Sequence, residues 1–175
     1  MKLKAIVDED FQDYKKTAMF LATCRCDFKC CEEGGFDRSI CQNSPMASQP
    51  TLDIPDEEIV ARYKANPLSK AIVFGGLEPF LQVGELFDLI CLFRYEGVTD
   101  DIVIYTGYTK EELYNNWFRE IEALCDLRCY GDIIVKTGRY RPGGTPRFDA
   151  LLGVTLANEE QYALPIEEIP PMEVL

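Results

Sequence analysis

Short apolar runs and longer amphipathic stretches alternate along this chain. Four short segments are rich in apolar residues: 18–23, 71–74, 102–105 and 132–136. Each is bounded by glycine, proline or polar residues, which is typical of strands buried on both faces. A further apolar run at 151–156 predicts a last strand. We therefore expect five strands.

The stretches between these strands have helical spacing. One predicted helix covers about 55–65 and begins at Pro55, a residue favoured in the first turn of a helix. A second covers about 80–95. A third opens with Thr109-x-x-Glu112, a capping box in which the two side chains bond to the first free backbone amides. Helices thus connect successive strands.

This alternation predicts the fold class. Strands joined by helical crossovers form a parallel sheet. We expect an α/β fold, namely a short parallel-stranded incomplete (β/α) barrel of about five strands. Residues 1–160 form a single domain in this interpretation, and residues 161–175 form an acidic, proline-rich tail.

The predicted topology also locates a site. In parallel sheets, ligands bind beyond the carboxyl ends of the strands. Three such ends are followed by notable residues, namely Cys24 and Cys26, Gly75-Gly76, and Thr106-Gly107. We expect these three loops to share one face of the sheet and to form the functional site.

Composition narrows the classes of partner. The chain has 175 residues and a net charge of −12, from 30 acidic and 18 basic residues. Nucleic acid is not an expected partner, since its binding needs a basic surface. No apolar stretch approaches the roughly 18 residues of a membrane span, and no signal peptide is evident. We expect a cytoplasmic protein. A partner or an anionic ligand could be bound by the basic residues Lys136, Arg139, Arg141 and Arg147, but such residues are more often scattered surface charge, and we treat them so.

Cysteine is the residue type that points to chemistry. Five of the eight cysteines lie within 18 positions, at Cys24, Cys26, Cys30, Cys31 and Cys41, and the chain has no histidine. In a reducing compartment, clustered cysteines are typical of metal ligands or catalytic thiols. The absence of histidine excludes serine–histidine and cysteine–histidine dyads. Thiolates suit iron–sulfur clusters or zinc, and both remain open at this point.

Three segments resemble a known family. The sequence CDFKC at 26–30 resembles the start of the C-x3-C-x2-C motif of the radical S-adenosylmethionine (SAM) enzymes. GGLEPFLQ at 75–82 is similar to the glycine–glutamate segment after the second strand of that family. IYTGYTKEEL at 104–113 resembles the small activating enzymes of anaerobic ribonucleotide reductase. The three segments occur in the family's order.

The resemblance is imperfect at two positions. The third cysteine of the motif would stand at position 33, which is Glu33, and Leu77 separates Gly75-Gly76 from Glu78. Cys41 begins CQN, which is similar to the end of the activating-enzyme motif. The resemblance implies Cys26, Cys30 and Cys41 as ligands of a [4Fe-4S] cluster. Cys24 or Cys31 remains open as a replacement for Cys41.

The resemblance also implies a cofactor and a reaction. SAM would bind the iron that lacks a protein ligand, and its reductive cleavage would give a 5′-deoxyadenosyl radical. The residues that would contact SAM are Phe28, Gly75, Gly76, Glu78, Thr106 and Gly107. The implied partners are an external electron donor and a protein substrate such as a glycyl radical enzyme, under anaerobic conditions.

Two other functions are open from the sequence. If four of the crowded cysteines bound the cluster, SAM would have no vacant iron, and the chain would be an electron-transfer or sensing module. A zinc-stabilised interaction domain is the third interpretation, but structural zinc usually takes two close pairs of cysteines. The only pair with such spacing beyond the cluster is Cys125 and Cys129. Whether the chain is an enzyme thus depends on the ligand count.

Overall fold

The computed structural model describes residues 1–169. Its strands are β1 (Lys2–Asp10), β2 (Ala18–Thr23), β3 (Leu52–Asp53), β4 (Ala71–Gly76), β5 (Asp101–Tyr105), β6 (Ile133–Thr137), β7 (Arg147–Asp149), β8 (Val154–Leu156) and β9 (Tyr162–Pro165). Its α-helices are α1 (Lys29–Gly34), α2 (Ser44–Ala47), α3 (Asp56–Ala65), α4 (Val83–Tyr95) and α5 (Lys110–Leu127). Short 3₁₀ helices cover Arg38–Ile40, Pro79–Gln82, Arg128–Tyr130 and Ile166–Glu168.

Seven of these strands form one mixed sheet in the order β3-β1-β2-β4-β5-β6-β9. The four central strands, β2, β4, β5 and β6, are parallel, as predicted from the helices between them. The outer strands β1, β3 and β9 pair antiparallel to their neighbours. Within residues 1–169 no pairing joins β3 to β9, so the sheet is not a closed barrel. The α/β class is confirmed, whereas the incomplete barrel of about five strands stays a prediction.

Side chains of the central strands alternate between two cores. Ile72 and Phe74 of β4 pack with the apolar faces of α3, α4 and α5. Ala71 and Val73 point to the opposite face and pack with Leu152 and Leu156 from the segment around β7 and β8. Because successive strand residues face opposite sides, burial of both faces explains the uninterrupted apolar runs.

The predicted strand at 151–156 is correct only in its second half. β8 begins at Val154 and pairs with β7 in a separate two-stranded sheet. The Asp149 carboxylate accepts bonds from the amides of Leu151 and Leu152, which bends the chain before β8. Gly153 then takes a φ of +74°, a left-handed conformation that favours glycine.

Four strands were not predicted from the sequence. β1 and β3 lie at one side of the seven-stranded sheet, β9 lies at its other edge, and β7 pairs with β8 in the separate sheet. β9 falls in the predicted tail, where Ile166 and Ile169 are also buried in the core. Residues 161–169 thus belong to the packed structure, and residues 170–175 of the predicted tail lie outside the described residues. The division into a domain and a tail otherwise stays a prediction.

No helix in the described part of the chain is long and apolar enough to span a membrane.

Candidate metal centre

The carboxyl ends of the central strands surround one cavity of about 560 Å³. β2 leads into the cysteine loop, β4 into Gly76-Leu77-Glu78, β5 into Thr106-Gly107 and β6 into Gly138. These ends lie side by side because their strands are parallel and in register. The predicted convergence of the three loops on one face is therefore present.

Most of the predicted site residues line this cavity. The lining includes Cys26, Phe28, Cys30, Cys31, Cys41, Gly76, Glu78, Thr106 and Gly107. Gly75 is not part of it, because its carbonyl accepts a bond from the Thr23 hydroxyl at 2.9 Å and it packs against Phe20 within the sheet. Cys24 is also outside the lining, and its amide donates to Gln82 Oε1 at 2.8 Å. The structure thus brings together four of the five clustered thiols.

A tight turn brings Cys26 and Cys30 into the cavity. Phe28 has a φ of 57°, the only positive φ of a non-glycine residue within residues 1–169, and α1 starts immediately after it. The Phe28 amide donates to Cys26 Sγ at 3.3 Å. Left-handed backbone at a bulky residue is costly and is often found at functional sites. Here it reverses the chain so that both thiols face the same space.

The environment of these two thiols holds them protonated when no metal is bound. Burial raises the pKa of Cys26 to about 12, against the opposing effect of the Phe28 amide. Burial also raises the pKa of the Cys30 thiol. Metal ligation requires thiolates, so binding must release protons from these cysteines.

Cys31 and Cys41 form a second pair at the cavity wall. Cys31 is 4% exposed, and burial together with the neighbouring Cys41 raises the pKa of its thiol. The 3₁₀ helix Arg38–Ile40 precedes Cys41, whose amide donates to the Arg38 carbonyl at 3.0 Å. Within residues 1–169 no three cysteine or acidic side chains converge as ligands of a single metal ion. Both Cys31 and Cys41 stay candidates for the third ligand.

The donor set fits a [4Fe-4S] cluster. Such clusters are held by cysteine thiolates, each on a different iron, so the ligands surround the cluster and need not meet at one point. Four thiols line one cavity of sufficient size, and all eight cysteines are free. Gly107 makes room beside Cys30, because a Cβ on this glycine would lie 2.9 Å from Cys30 Sγ.

Glu78 connects the ends of β4 and β5. Its carboxylate accepts bonds from the amide of Phe80 at 3.1 Å, the hydroxyl of Thr106 at 2.8 Å and the amide of Gly107 at 2.8 Å. Burial raises the pKa of Glu78 to about 7, although these three donors act to lower it. Oε2 accepts only one of the bonds and keeps a free lone pair. Leu77, the extra residue before Glu78, is buried and also lines the cavity.

Ion pairs fasten the cysteine loop to the rest of the protein. Arg139, only 3% exposed, donates to both carboxylate oxygens of Glu33 at 2.8 and 3.1 Å and to Glu112 at 2.7 Å. It also donates to the Gly107 carbonyl, while Lys29 pairs with Glu112. Glu33 occupies the position of the third cysteine in the family motif, and here it holds α1 against the end of β6. We call these residues, Lys29, Glu33, Glu112 and Arg139, the clamp.

Two of the basic residues treated as surface charge are in fact buried. Arg139 belongs to the clamp, and Lys136 on β6 is 6% exposed and lines the cavity. Burial of Lys136 was partly predictable, since it is the last residue of the predicted buried strand at 132–136. Burial of Arg139 was not, because its partner Glu33 is 106 residues away.

Comparison with known proteins agrees with this donor set. A family model described as "4Fe-4S single cluster domain" matches residues 15–141, which include the cysteine loop and all four parallel strands. No curated protein matches the chain. No solved structure matches it either.

Proposed function

Because the chain belongs to the 4Fe-4S single cluster domain family, we propose that it is a radical SAM-type enzyme that cleaves S-adenosylmethionine reductively. The observation that supports this proposal most is the shape of the cluster site. The thiols share their cavity with Glu78, Thr106 and Gly107, which are polar groups at the ends of neighbouring strands. A cavity of about 560 Å³ lies within the usual range for small-molecule sites.

The ligand count decides the chemistry. Cys26, Cys30 and either Cys31 or Cys41 would hold the cluster through three of its irons. A cluster bound in this way would supply one electron and an iron with an open coordination position for SAM, which is the chemistry that cleavage to methionine and a 5′-deoxyadenosyl radical requires. The protein's own task is to bind, orient and shield the reactants.

Individual residues have distinct parts in this proposal. The free lone pair of Glu78 Oε2 is an acceptor for the amino group of SAM, together with the backbone at Gly76. Phe28, held beside Cys26 by its left-handed backbone, would pack against the adenine ring. Thr106 and Gly107 would line the nucleoside pocket. Leu77 adds apolar surface to the cavity wall and helps to exclude water.

We place this activity in a reducing, cytoplasmic and anaerobic setting, with an external electron donor. A protein substrate such as a glycyl radical enzyme is the partner that we propose. The resemblance of residues 104–113 to the activating enzymes of anaerobic ribonucleotide reductase supports it.

Electron paramagnetic resonance tests the proposal. The protein is reconstituted anaerobically with iron and sulfide, reduced, and measured with and without SAM. We expect a [4Fe-4S]⁺ signal that changes when SAM is added, followed by methionine and 5′-deoxyadenosine in the products. Cys26→Ala should lose the signal, whereas Cys91→Ala, outside the cavity lining, should keep it. A reduced cluster whose signal ignores SAM and that yields no 5′-deoxyadenosine would refute the enzyme.

A second function is favoured by one observation, namely that four thiols line the cavity rather than three. Four thiolates would occupy every iron, and the protein would then transfer electrons or sense oxygen. Single Cys31→Ala and Cys41→Ala variants separate the two functions. The enzyme predicts that one of them keeps a cluster that responds to SAM, and the module predicts that both lose it. Zinc in place of iron in the purified protein would instead identify an interaction domain.

A further inference from the structure

Lys136 is a buried cation with no carboxylate partner in direct contact. It is 6% exposed and lies one residue before the end of β6. Its ammonium donates only to the carbonyls of Thr106 and Gly138, both at the long distance of 3.4 Å. No carboxylate within residues 1–169 accepts a hydrogen bond from it or forms an ion pair with it. Burying a charge in this way is costly unless another group compensates it.

The thiol of Cys30 lies close enough to the Lys136 ammonium for each to affect the charge of the other. The dipeptide Thr106-Gly107 lies between them, since Lys136 bonds to the Thr106 carbonyl and Cys30 Sγ lies 2.9 Å from the position of a Cβ on Gly107. Lys136 and Cys30 also line the same cavity. The ammonium therefore faces the side of the cluster site that Cys30 would occupy.

The other charges around this dipeptide are already compensated. Arg139 contacts the Gly107 carbonyl but is paired with Glu33 and Glu112. Glu78 bonds to Thr106 and Gly107 and makes no hydrogen bond with Lys136. Of the two cations, only Lys136 has no carboxylate in direct contact, and the ring of Tyr105, 6.0 Å from its Nζ, and the charge of Glu78 offset its burial only in part.

A cluster held by three or four thiolates brings net negative charge into the cavity. Charges and hydrogen bonds around an iron–sulfur cluster determine its reduction potential. Reduction adds a further negative charge, so a nearby cation stabilises the reduced state more than the oxidised state. Burial lowers the pKa of Lys136 to about 8, against the opposing effects of Cys30 and Glu78, and the side chain remains mainly protonated at pH 7.

We propose that the Lys136 ammonium is the countercharge of the bound cluster and raises its reduction potential through the Cys30 side of the site. The inference rests on the cluster-binding part of the proposed function and does not depend on SAM cleavage. Lys136 is a positioning residue in this proposal, because its charge stabilises the reduced cluster and its side chain is not a ligand of the iron.

Potentiometric titration of the reconstituted protein with a low-potential chemical reductant tests this inference, with the one-electron reduction followed by paramagnetic resonance. Lys136→Met removes the charge and keeps much of the side-chain volume, and Lys136→Arg keeps the charge. Lys70→Met is the matched control, since Lys70 is exposed and precedes β4 at the opposite end of the sheet. Iron and sulfide are quantified for each variant.

We expect Lys136→Met to lower the equilibrium constant of reduction tenfold or more, which is about 59 mV for a one-electron couple. Lys136→Arg and Lys70→Met should stay within about threefold of the original protein. Loss of the cluster in Lys136→Met, with normal loading in Lys136→Arg, would also support the countercharge. Equal potentials in all fully loaded variants would overturn it, as would loss of the cluster from both Lys136 variants. If the original protein itself binds no cluster, the proposed function fails first, and iron analysis shows this directly.

Discussion

Replacing Arg139 with methionine tests whether the clamp holds the cysteine loop in place. Methionine preserves part of the buried volume but removes every hydrogen bond of the guanidinium. The change disconnects Glu33 on α1 from β6, and it deprives Glu112 and the Gly107 carbonyl of a donor. We expect the cysteine loop to lose its main polar attachment and the whole domain to lose stability.

The magnitude follows from the exposure of each partner. The Glu33 side chain is 40% exposed, so water can replace its bonds, and this pair contributes about 1 kcal/mol or less. Glu112 is 22% exposed and loses a charge-assisted bond worth about 1.5 kcal/mol, although it keeps Lys29. The bond to the Gly107 carbonyl adds about 1 kcal/mol. We therefore expect Arg139→Met to lower the free energy of unfolding by about 3 kcal/mol.

Urea unfolding of the metal-free protein at pH 7 measures this loss. With a slope of about 2 kcal/mol per molar urea, the midpoint should fall by about 1.5 M. Arg62→Met is the matched control, because Arg62 forms a bidentate pair with Asp8 at 2.5 and 2.7 Å but both side chains are at least 40% exposed. It should cost about 0.5 kcal/mol.

The comparison with Arg62 can refute the reasoning. If Arg139→Met costs no more than Arg62→Met, the clamp contributes nothing beyond a surface ion pair. A double-mutant cycle with Glu33→Gln isolates one contact, and its coupling should be about 1 kcal/mol. A coupling of zero would mean that Glu33 is fully hydrated and that α1 is held by other contacts.

Three further predictions concern the cavity and the core. Gly107→Ala places a methyl group 2.9 Å from Cys30 Sγ and should reduce iron incorporation at least severalfold. Gly84→Ala is the control, because Gly84 has open space around it and the change should leave iron incorporation unchanged. Iron analysis of both variants after reconstitution measures the difference. Burial and the neighbouring Asp10 raise the pKa of Asp13 from 3.8 to about 6, so the folded state binds this proton more tightly than the unfolded state. The contribution of Asp13 to the free energy of unfolding is therefore lost as pH rises from about 4 to 6. Asp13→Asn should therefore be more stable than the original protein above pH 6, by at most about 3 kcal/mol, and urea midpoints that differ equally at pH 5 and pH 8 would contradict this. Ile166→Ala, at a fully buried position beyond β9, should cost about 2–5 kcal/mol, and an unchanged thermal midpoint would show that residues 161–169 are dispensable.

The central strands were predictable because their signal is local. A strand buried on both faces needs an uninterrupted apolar run, and β2, β4 and β5 each have one. β1 carries charged residues at five of its nine positions, and β9 is only four residues long, so neither stands out. Strands at or near the edges of the sheet, such as these, depend on pairing with a neighbour, which the sequence around them does not show.

The candidate site was predictable to the same extent. The cysteines and the strand-end residues were identified from spacing, since parallel strands carry their carboxyl ends to one face. The need for glycine at position 107 could not be predicted, because it arises from the close approach of Cys30, which lies on a distant loop. Glu33 was recognised only as a missing cysteine, and its partner Arg139 lies 106 positions further along the chain.

The separation of Glu33 from Arg139 has a consequence for protein synthesis. The cysteine loop leaves the ribosome before Arg139 is made, since the 106 positions from Glu33 to Arg139 take roughly 5–20 s to translate. Until the end of that interval the thiols of the loop lack Arg139 and β6, and β4 and β5 join them only as each is synthesised. Delivery of iron and sulfide to a defined site must therefore follow the synthesis of β6, and a cluster donor that acts on the nascent loop would meet thiols in no fixed arrangement.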